Sequence, residues 1–251
     1  MQVATMEQPK VRVKDMTKKF GDLLVLDKMN FDVKKGELLV VVGPTGCGKT
    51  TFLNSLTGIY DITEGAILIN GEKVNLKKHN ISYIFQEASA MPWLTIEENV
   101  AFGLKTKRFS KEECKRRTDE MLEIVGLSDF KDYYPQQVST SMVQRIAIAR
   151  AFATEPELLL MDEPYGQLDI DLRFKLEDEL IKLWKKTGTT IIFITHNVEE
   201  AVYLSENIMV LTNKPTTVKQ VVKNELPHPR DIMSHDFVEL RNNITDLIKW
   251  W

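Results

Sequence analysis

The sequence lacks the features that mark several large classes of protein. Only two of its 251 residues are cysteines, Cys47 and Cys114, which is too few for a disulfide framework and favours a reducing compartment. No apolar run approaches the ~20 residues that a membrane-spanning helix needs, and the first residues have no apolar secretory core. The net charge of −3 lacks the basic excess of a nucleic-acid-binding protein. These absences favour a cytoplasmic globular protein with one large domain or two small ones.

A phosphate-binding pattern, G-x-x-x-x-G-K-[ST], is present in the first quarter of the chain. It is formed by Gly43-Pro44-Thr45-Gly46-Cys47-Gly48-Lys49-Thr50. The apolar run 38–42 predicts a strand before it, and residues 51–56 predict a helix after it, which counts against a chance glycine-rich turn. Backbone N–H groups of such a loop converge on an anion, and the helix dipole favours negative charge there. Lys49 can reach the β- and γ-phosphates and Thr50 can bind Mg²⁺, so the sequence predicts a nucleoside triphosphate site.

Cys47 has two interpretations within this loop. Near a helix N-terminus its thiol could have a lowered pKa and be reactive. Alternatively, Cys47 is a small residue whose backbone N–H is what matters. We favour the second interpretation.

Strand signals dominate the N-terminal part of the chain. Alternating apolar residues predict two strands within 11–33, on either side of the turn Gly21-Asp22. Asn70-Gly71, flanked by apolar residues, predicts a two-residue hairpin. These signals indicate an antiparallel β-structure before and after the phosphate-binding loop.

The rest of the chain combines helices with buried strands. Helix and loop signals dominate from about 88 to 156, where Ser110 begins a capping box that opens one helix. Uninterrupted apolar runs at 158–161 and 190–195 predict strands that are covered on both faces. The tail from 231 to 251 is predicted to be an amphipathic helix. Because strands alternate with helices around a helical insertion, we predict an α/β fold with a mainly parallel sheet.

Side chains suited to phosphate chemistry follow four of the predicted strands. Thr50 follows one strand, Gln86 another, Asp162 and Glu163 a third, and His196 a fourth. The carboxyl ends of parallel strands meet at one edge of a sheet, where ligands bind. Asp162 is placed to anchor Mg²⁺ and Glu163 to activate a water molecule. Gln86 alone favours neither a functional nor a structural role, and a lone histidine is more often structural, but their shared placement favours function.

Taken in order, these motifs resemble those of the ATP-binding subunits of ABC transporters. The matching segments are the Walker A motif at 43–50, the Q-loop at 83–87, the Walker B motif at 158–164, the D-loop at 165–169 and the switch-histidine motif at 194–196. Together they span nearly the whole chain, which is more specific than any one motif. Residues 91–95 and 226–230 also resemble the importer subgroup for nitrate, sulfonate and taurine.

The resemblance implies a P-loop NTPase fold of the α/β class. That fold has a mainly parallel sheet, an N-terminal antiparallel β-subdomain and an inserted helical subdomain. On this interpretation residues 1–251 form a single ABC ATPase domain. Its helical subdomain lies at about 88–156, and a C-terminal helical tail lies at about 225–251.

The resemblance also implies ATP and Mg²⁺ as cofactors and assigns roles to residues. Glu163 is the general base, while His196 and Gln86 sense the γ-phosphate. Thr50, Gln86 and Asp162 serve Mg²⁺. Phe20 fits the aromatic residue that stacks on adenine, although its position alone also fits a core residue. The residues implied in ATP binding are Phe20, Gly43, Pro44, Thr45, Gly46, Cys47, Gly48, Lys49, Thr50 and Thr51, and the D-loop residue is Asp169.

One family motif is altered in this chain. The signature LSGGQ, or LSGGM followed by x-Q-R in this subgroup, aligns with 138–145, where Thr140 and Ser141 replace both glycines. The resemblance implies that two subunits close head to tail, so that one subunit's signature contacts the γ-phosphate held by the other. The residues that would act in trans are Ser139, Thr140, Ser141, Met142 and Gln144. Because glycine permits close approach and threonine tolerates positive φ poorly, we predict reduced hydrolysis or a partner with an intact signature.

We predict an ATP-binding and hydrolysing subunit that couples ATP hydrolysis to uptake of a small solute such as nitrate, a sulfonate or taurine. Its partners would be a transmembrane permease subunit, a second ATP-binding subunit and, indirectly, an extracytoplasmic solute-binding protein, but no nucleic acid. It would be cytoplasmic and peripheral on the inner face of the cell membrane. Pro92 and Trp93 are candidates for the permease contact, with burial of Trp93 as an equal alternative.

Two other functions fit the same residues. The altered signature suggests a nucleotide-binding, weakly active regulatory subunit of an asymmetric ABC pair, although the intact Glu163 and His196 oppose it. A soluble ABC-type ATPase outside any transporter is the third candidate. The acidic balance and the absence of long insertions disfavour a nucleic-acid-directed ATPase of that kind.

Overall fold

The computed structural model describes residues 8–87, 89–166, 168 and 170–248. The chain divides into two compact units. One unit combines Met1–His79 with Thr190–Trp251, and the other is Asn80–Thr189. The predicted helical subdomain at about 88–156 falls within the sequence range of the second unit. The single ABC ATPase domain over 1–251 stays a prediction.

An antiparallel sheet of four strands forms the N-terminal part of the first unit. In sheet order its strands are β2 (Leu23–Val33), β1 (Val11–Phe20), β4 (Glu64–Ile69) and β5 (Glu72–Lys73). Asn70 and Gly71 have φ values of +52° and +81°, as the tight turn between β4 and β5 requires. Val11, Met16 and Met29 are fully buried, whereas Lys14 and Asp15 of β1 and Lys28 and Asn30 of β2 are exposed. The predicted antiparallel N-terminal β-structure is therefore confirmed.

Four further strands of the first unit form a mainly parallel arrangement. In sheet order they are β10 (Val218–Lys223), β9 (Asn207–Leu211), β3 (Leu38–Val42) and β8 (Thr190–Thr195). β3 runs parallel to both β8 and β9, whereas β10 is antiparallel to β9. All residues of β8 are buried, as predicted for a strand that is covered on both faces, and so are all residues of β3. Val42 pairs with Thr195, so the carboxyl ends of β3 and β8 lie side by side.

Three helices accompany these strands in the first unit. They are α1 (Lys49–Leu56), α6 (Val198–Leu204) and α7 (His235–Ile248), the last within the predicted helical tail. The buried guanidinium of Arg230 donates to the carbonyl oxygens of Val202, Tyr203 and Ser205 at the end of α6. Burial lowers the pKa of Arg230 to about 10, which still leaves it charged at neutral pH. Arg230 therefore caps the C-terminus of α6 with a full positive charge.

The second unit contains two parallel strands and most of the helices. Its strands are β6 (Ile81–Ile84) and β7 (Leu158–Asp162), and its helices are α2 (Ile96–Thr106), α3 (Lys111–Ile124), α4 (Thr140–Ala153) and α5 (Ile170–Thr187), with short 3₁₀ turns at Ser128–Phe130 and Pro135–Gln137. Thr95 and Glu98 form a reciprocal capping box at the start of α2. Within the described residues, no helix of the chain is long and apolar enough to cross a membrane.

The predicted capping box at Ser110 forms only in part. The Ser110 hydroxyl accepts from the Glu113 N–H at 3.1 Å and caps α3. The Glu113 carboxylate contacts Arg116 and Arg117 on the next turn, and these hydrogen bonds hold its pKa at about 2. The serine cap was therefore correct, whereas the role of the glutamate was not.

Candidate functional site

The phosphate-loop segment joins β3 to α1 and relies on glycine conformations. Gly46 and Gly48 have φ values of +76° and +115°, and Gly48 is the N-cap of α1. A Cβ atom at position 48 would lie 2.9 Å from Cγ1 of Val25, so a side chain there meets both strain and a clash. No described side chain caps α1. The first turn of this helix can therefore bind an anion through its backbone N–H groups, assisted by the helix dipole.

The side chains of Lys49 and Cys47 lie inside this loop. The Lys49 ammonium is buried and donates to the carbonyl oxygens of Gly43 at 3.1 Å and Pro44 at 3.2 Å. Burial raises the pKa of the Cys47 thiol, so it stays protonated at neutral pH. The Thr216 hydroxyl donates to the Cys47 carbonyl. The suggestion of a lowered thiol pKa at Cys47 is therefore wrong, because desolvation outweighs the nearby lysine.

His196 stands beside the phosphate loop in the first unit. It follows Thr195, whose pairing with Val42 places the end of β8 next to the end of β3. Its two neighbours are fixed, because the Asn197 N–H donates to the Thr195 hydroxyl at 2.9 Å. The Asn197 side chain then caps α6 by accepting from the Glu199 N–H at 2.9 Å. The exposed His196 side chain therefore projects from a hydrogen-bonded junction between β8 and α6.

The carboxylate pair and Gln86 lie near the ends of two paired strands in the second unit. β6 and β7 run parallel with Ile84 beside Met161, so Gln86 and Asp162 follow neighbouring strand ends. Asp162 is 5% exposed, and its Oδ2 accepts from the Tyr83 hydroxyl at 3.4 Å. Glu163 is half-buried with φ +44°, a left-handed conformation that is unfavourable for a side-chain-bearing residue. Such strain often occurs at functional sites, which is consistent with a functional role for Glu163.

Phe20 lies at the end of β1 with 43% of its surface exposed, so it is not a core residue. Its ring packs edge-to-face against Tyr60 with the centroids 5.4 Å apart. The Lys18 ammonium lies 4.6 Å from the Phe20 centroid. An exposed, supported ring is suited to stacking on a flat base.

The altered signature segment begins α4 in the second unit. Ser139 is the N-cap, and its hydroxyl accepts from the Met142 N–H at 3.4 Å and lies 2.8 Å from the Ser141 hydroxyl. Thr140 and Ser141 are the first two residues of the helix, and neither has a positive φ. The predicted backbone strain from replacing glycine is therefore wrong, because these positions are helical. This segment therefore differs from one with glycines at positions 140 and 141 only in the volume and the hydrogen bonds of the two side chains.

The comparisons with known proteins agree with these motifs. The family described as ABC transporter matches residues 26–166. The aliphatic sulfonates import ATP-binding protein SsuB of Bacillus cereus is 41% identical over 92% of this chain and 91% of its own length. An ABC transporter ATP-binding protein of Methanocaldococcus jannaschii, MJ0412, is 42% identical over 96% of this chain and 91% of its own length.

The chain belongs to the ABC transporter family. Among solved structures, the ATP-binding cassette MJ0796, a dimer bound to ADP and phosphate, has a TM-score of 0.75 at 32% identity, covering 86% of this chain and 99% of that chain. CbiO1 of Clostridium perfringens, part of an ABC transporter complex, has a TM-score of 0.81 over 95% of this chain and 96% of that chain; its 24% identity supports the fold alone. The chain is thus an ATP-binding subunit of an ABC transporter and an ATPase.

Within this ABC ATPase, the predicted site residues fall into two groups. The phosphate loop, Phe20 and His196 belong to the first unit, whereas Gln86, Asp162, Glu163 and the signature segment belong to the second. The joining of the two groups around one nucleotide stays a prediction, as do the individual roles. Asp169 of the D-loop lies outside the described residues.

Two sets of contacts in this ABC ATPase were not found from the sequence. One is the hydrogen bond from Tyr83 to Asp162, and the other is the support of Phe20 by Tyr60 and Lys18. Tyr83 belongs to the Q-loop segment, and Tyr60 belongs to none of the motifs. Tyr83 lies on the strand that leads to Gln86, but the pairing of that strand with β7, which brings Tyr83 to Asp162, has no signal in the local sequence.

Proposed function

We propose that the chain couples ATP hydrolysis to the import of a small solute of the nitrate, sulfonate or taurine class. It would do so from the inner face of the cell membrane, bound to a permease subunit. The observation that carries this proposal is the outward position of Trp93, which is 71% exposed. Tryptophan is enriched in the buried cores of protein–protein interfaces, so an exposed tryptophan on an ordered loop fits a contact with a partner. The sulfonate-import relative supports the solute class.

Trp93 is held outward by a buried asparagine beneath its loop. Asn99 is fully buried; its side chain accepts from the Met91 N–H at 2.8 Å and donates to the carbonyl oxygens of Met91, Leu94 and Thr95. Gln136 donates to the Pro92 carbonyl at 2.9 Å. The loop therefore keeps its shape without a partner, and the alternative of a buried Trp93 is wrong.

A groove between α2 and α3 is a second candidate for the permease contact. It encloses about 540 Å³ and has acidic residues, Glu97 and Glu98, and three lysines, Lys105, Lys111 and Lys115, in its lining. Thr118 also lines it, and within the described part of the chain its buried Oγ1 has no hydrogen-bond partner. A buried hydroxyl without a partner is costly, and a docked segment with a polar group would satisfy it. We assign this groove to a cytoplasmic helix of the permease.

The proposed chemistry is transfer of the γ-phosphoryl group of ATP to water. Glu163 accepts a proton as the water oxygen attacks the γ-phosphorus, and the bond from that phosphorus to the bridging oxygen breaks to give ADP and phosphate. Lys49 and the loop N–H groups hold the β- and γ-phosphates. His196, at the end of β8, donates to the γ-phosphate, and Gln86 positions the water. The left-handed conformation of Glu163 supports this choice of base.

The oxygen donors of the proposed site suit Mg²⁺. The Thr50 hydroxyl, the Asp162 carboxylate and the Gln86 amide oxygen are the hard ligands that this ion prefers. The Tyr83 hydroxyl on Oδ2 orients the Asp162 carboxylate. When bound, the ion would neutralise charge on the transferring phosphate. Removal of Mg²⁺ by a chelator should therefore stop hydrolysis.

A second candidate function is a weakly active regulatory subunit of an asymmetric pair. The hydrogen bond between Ser139 and Ser141 favours it, because it engages the hydroxyl that would contact the γ-phosphate in trans. In that case the partner subunit carries the intact signature. The two candidates differ in whether the chain alone hydrolyses ATP as a homodimer.

The proposal is tested in proteoliposomes that contain the chain, its permease and its solute-binding protein. ATP-driven uptake of labelled taurine and ethanesulfonate is measured for the parent, Glu163→Gln, Trp93→Ser and the control Met233→Ser. Met233 is 82% exposed in the first unit. We expect Glu163→Gln to lower hydrolysis and uptake by roughly 10²- to 10⁴-fold while still binding ATP. Trp93→Ser should lose uptake but keep basal hydrolysis, and unchanged uptake in that variant would contradict the permease contact.

A further inference from the structure

Phe20 is part of a three-residue cluster rather than a single exposed ring. The Tyr60 ring meets it at 88° with the centroids 5.4 Å apart. The Lys18 ammonium lies 4.6 Å from the Phe20 centroid and 5.7 Å from the Tyr60 centroid, over the face of each ring. The Lys18 ammonium is therefore in cation–π contact with both rings. One face of Phe20 is therefore covered by its own neighbours.

The backbone beneath the cluster is connected to the phosphate-loop helix. Tyr60 lies in the loop that follows α1, and its N–H donates to the Asn54 carbonyl in that helix at 3.1 Å. Lys18 Nζ donates to the Asp61 carbonyl of the same loop at 2.6 Å. These hydrogen bonds tie the loop to β1 on one side and to α1 on the other. The cluster is thus held in place relative to the phosphate loop.

Burial does not account for this arrangement. Phe20 is 43% exposed and Tyr60 is 37% exposed, and their neighbours Leu23 and Ile59 are more exposed still. Side chains that remain this exposed gain little from the hydrophobic effect. The geometry therefore indicates a surface prepared for a flat ligand.

We propose that Tyr60 and Lys18 are positioning residues for the nucleotide base. They support Phe20 from one side and leave its opposite face for the purine ring of ATP. This inference rests on the proposed function, which places adenine at Phe20. The edge-to-face contact and the cation–π contact fix the Phe20 ring before the base arrives, so less rotational freedom is lost on stacking.

The cluster contacts only the face of a base, which sets its specificity. Stacking tolerates any base because every base has a π-face. Tyr60 and Lys18 should therefore matter equally for ATP and GTP and should not matter for inorganic tripolyphosphate, which has no base.

Calorimetric titration of the isolated chain tests the proposal. ATP, GTP and tripolyphosphate are titrated, each with Mg²⁺, into the parent, Tyr60→Ala, Phe20→Ala and the double variant. Tyr60→Ala should bind ATP and GTP about threefold to tenfold more weakly, as expected for loss of an aromatic pair, with tripolyphosphate unchanged. The double variant should bind ATP no more weakly than Phe20→Ala, because Tyr60 acts through Phe20.

Three further variants separate positioning from general damage. Tyr133→Ala is the matched control, because Tyr133 forms a comparable exposed pair with Phe130 in the second unit, with the centroids 5.6 Å apart. It should leave all three titrations unchanged. Tyr60→Phe should restore binding, and Lys18→Met should weaken ATP but not tripolyphosphate even if Tyr60→Ala fails to fold.

The outcomes distinguish this inference from the proposed function. If Phe20→Ala weakens ATP binding while Tyr60→Ala and Lys18→Met do not, the support by these two residues is overturned and the proposed function stands. Equal weakening of ATP and tripolyphosphate in Tyr60→Ala also overturns the inference, since the effect would then be structural. If the parent binds neither ATP nor GTP, the proposed function itself fails.

Discussion

The N-termini of α1 and α4 are built in opposite ways, although the family resemblance directs both toward phosphate. α1 begins after Gly48, whose φ of +115° lets the chain turn from the loop into the helix. No described side chain caps α1. α4 begins after Ser139, in an extended conformation with φ −69°, and the serine hydroxyl accepts from the Met142 N–H. The first helix leaves its N-terminus for a ligand, whereas the second satisfies its own. Helix α4 can therefore fold fully without phosphate, and its bound phosphate would have to compete with a side chain.

The largest expected effect comes from filling the glycine at the start of α1. In Gly48→Ala the new Cβ would lie 2.9 Å from Val25 Cγ1 at a φ of +115°, so the loop must shift. The displaced loop N–H groups would hold the phosphates less well, so we expect ATP affinity to fall by about 10- to 100-fold, which corresponds to about 1.4 to 2.8 kcal/mol. Fluorescence titration with an ATP analogue measures it.

Gly46→Ala is the matched control for that prediction. Gly46 also has a positive φ, +76°, but its Cβ would meet no atom within 4 Å. Gly46→Ala should therefore lower the folding stability by about 1 kcal/mol, through backbone strain alone. Its loss of ATP affinity should be smaller than that of Gly48→Ala. Equal affinity of Gly48→Ala and the parent would remove the contrast between the two helices.

The next effect is an increase in activity at the other helix. Restoring both glycines in Thr140→Gly/Ser141→Gly removes two side chains and the hydrogen bond from Ser141 to Ser139. We expect hydrolysis to rise by about tenfold, which corresponds to a barrier lower by about 1.4 kcal/mol. Thermal unfolding should show a loss of about 1 kcal/mol, since glycine is a poor helix former.

Steady-state phosphate release by the purified variant measures this rate. The single variants provide the controls, and Ser141→Gly should give most of the gain because it alone frees the Ser139 hydroxyl from Ser141. A double-variant rate no higher than that of the parent would show that the altered signature does not limit hydrolysis.

The fold could be predicted because its signals are local. The apolar runs at 158–161 and 190–195 became the buried strands β7 and β8, and Asn70-Gly71 became a turn. Errors arose where side chains compete for the same group. At the start of α3, the Glu113 carboxylate accepts from Arg116 and Arg117 instead of completing the predicted capping box.

The candidate site was predictable only where a motif is continuous in sequence. The phosphate loop lies within eight residues, and its residue types determine its shape. By contrast, the hydrogen bond from Lys18 to Asp61 joins positions 43 residues apart, and that from Tyr83 to Asp162 joins positions 79 apart. Such contacts depend on strand order and loop path, which local pattern does not encode.

A smaller effect should follow from removing the cap of α4. Ser139→Ala loses the hydrogen bond from the Met142 N–H and the contact with Ser141. Loss of a serine N-cap costs about 1 kcal/mol, so the unfolding midpoint in urea should fall with little change in slope. No side-chain cap can be removed in this way from α1, because its N-cap residue is Gly48. Ser139→Asp should retain the stability, and a loss as large as that of Ser139→Ala would argue against the cap.

The smallest effect concerns the thiol inside the phosphate loop. Burial raises the pKa of Cys47 above its usual 9.0, so at pH 7.5 the reactive thiolate is scarcer than in an unfolded chain. In a Cys114→Ala background, iodoacetamide should label Cys47 much more slowly in the folded protein than in urea, and the folded rate should rise with pH through the alkaline range. Labelling as fast as that of a small-molecule thiol at pH 7.5 would mean that the N-terminus of α1 stabilises the thiolate. The loop would then stabilise the Cys47 thiolate as it is proposed to stabilise phosphate. The Cys47 side chain, and not only its backbone N–H, would then have a role in the loop.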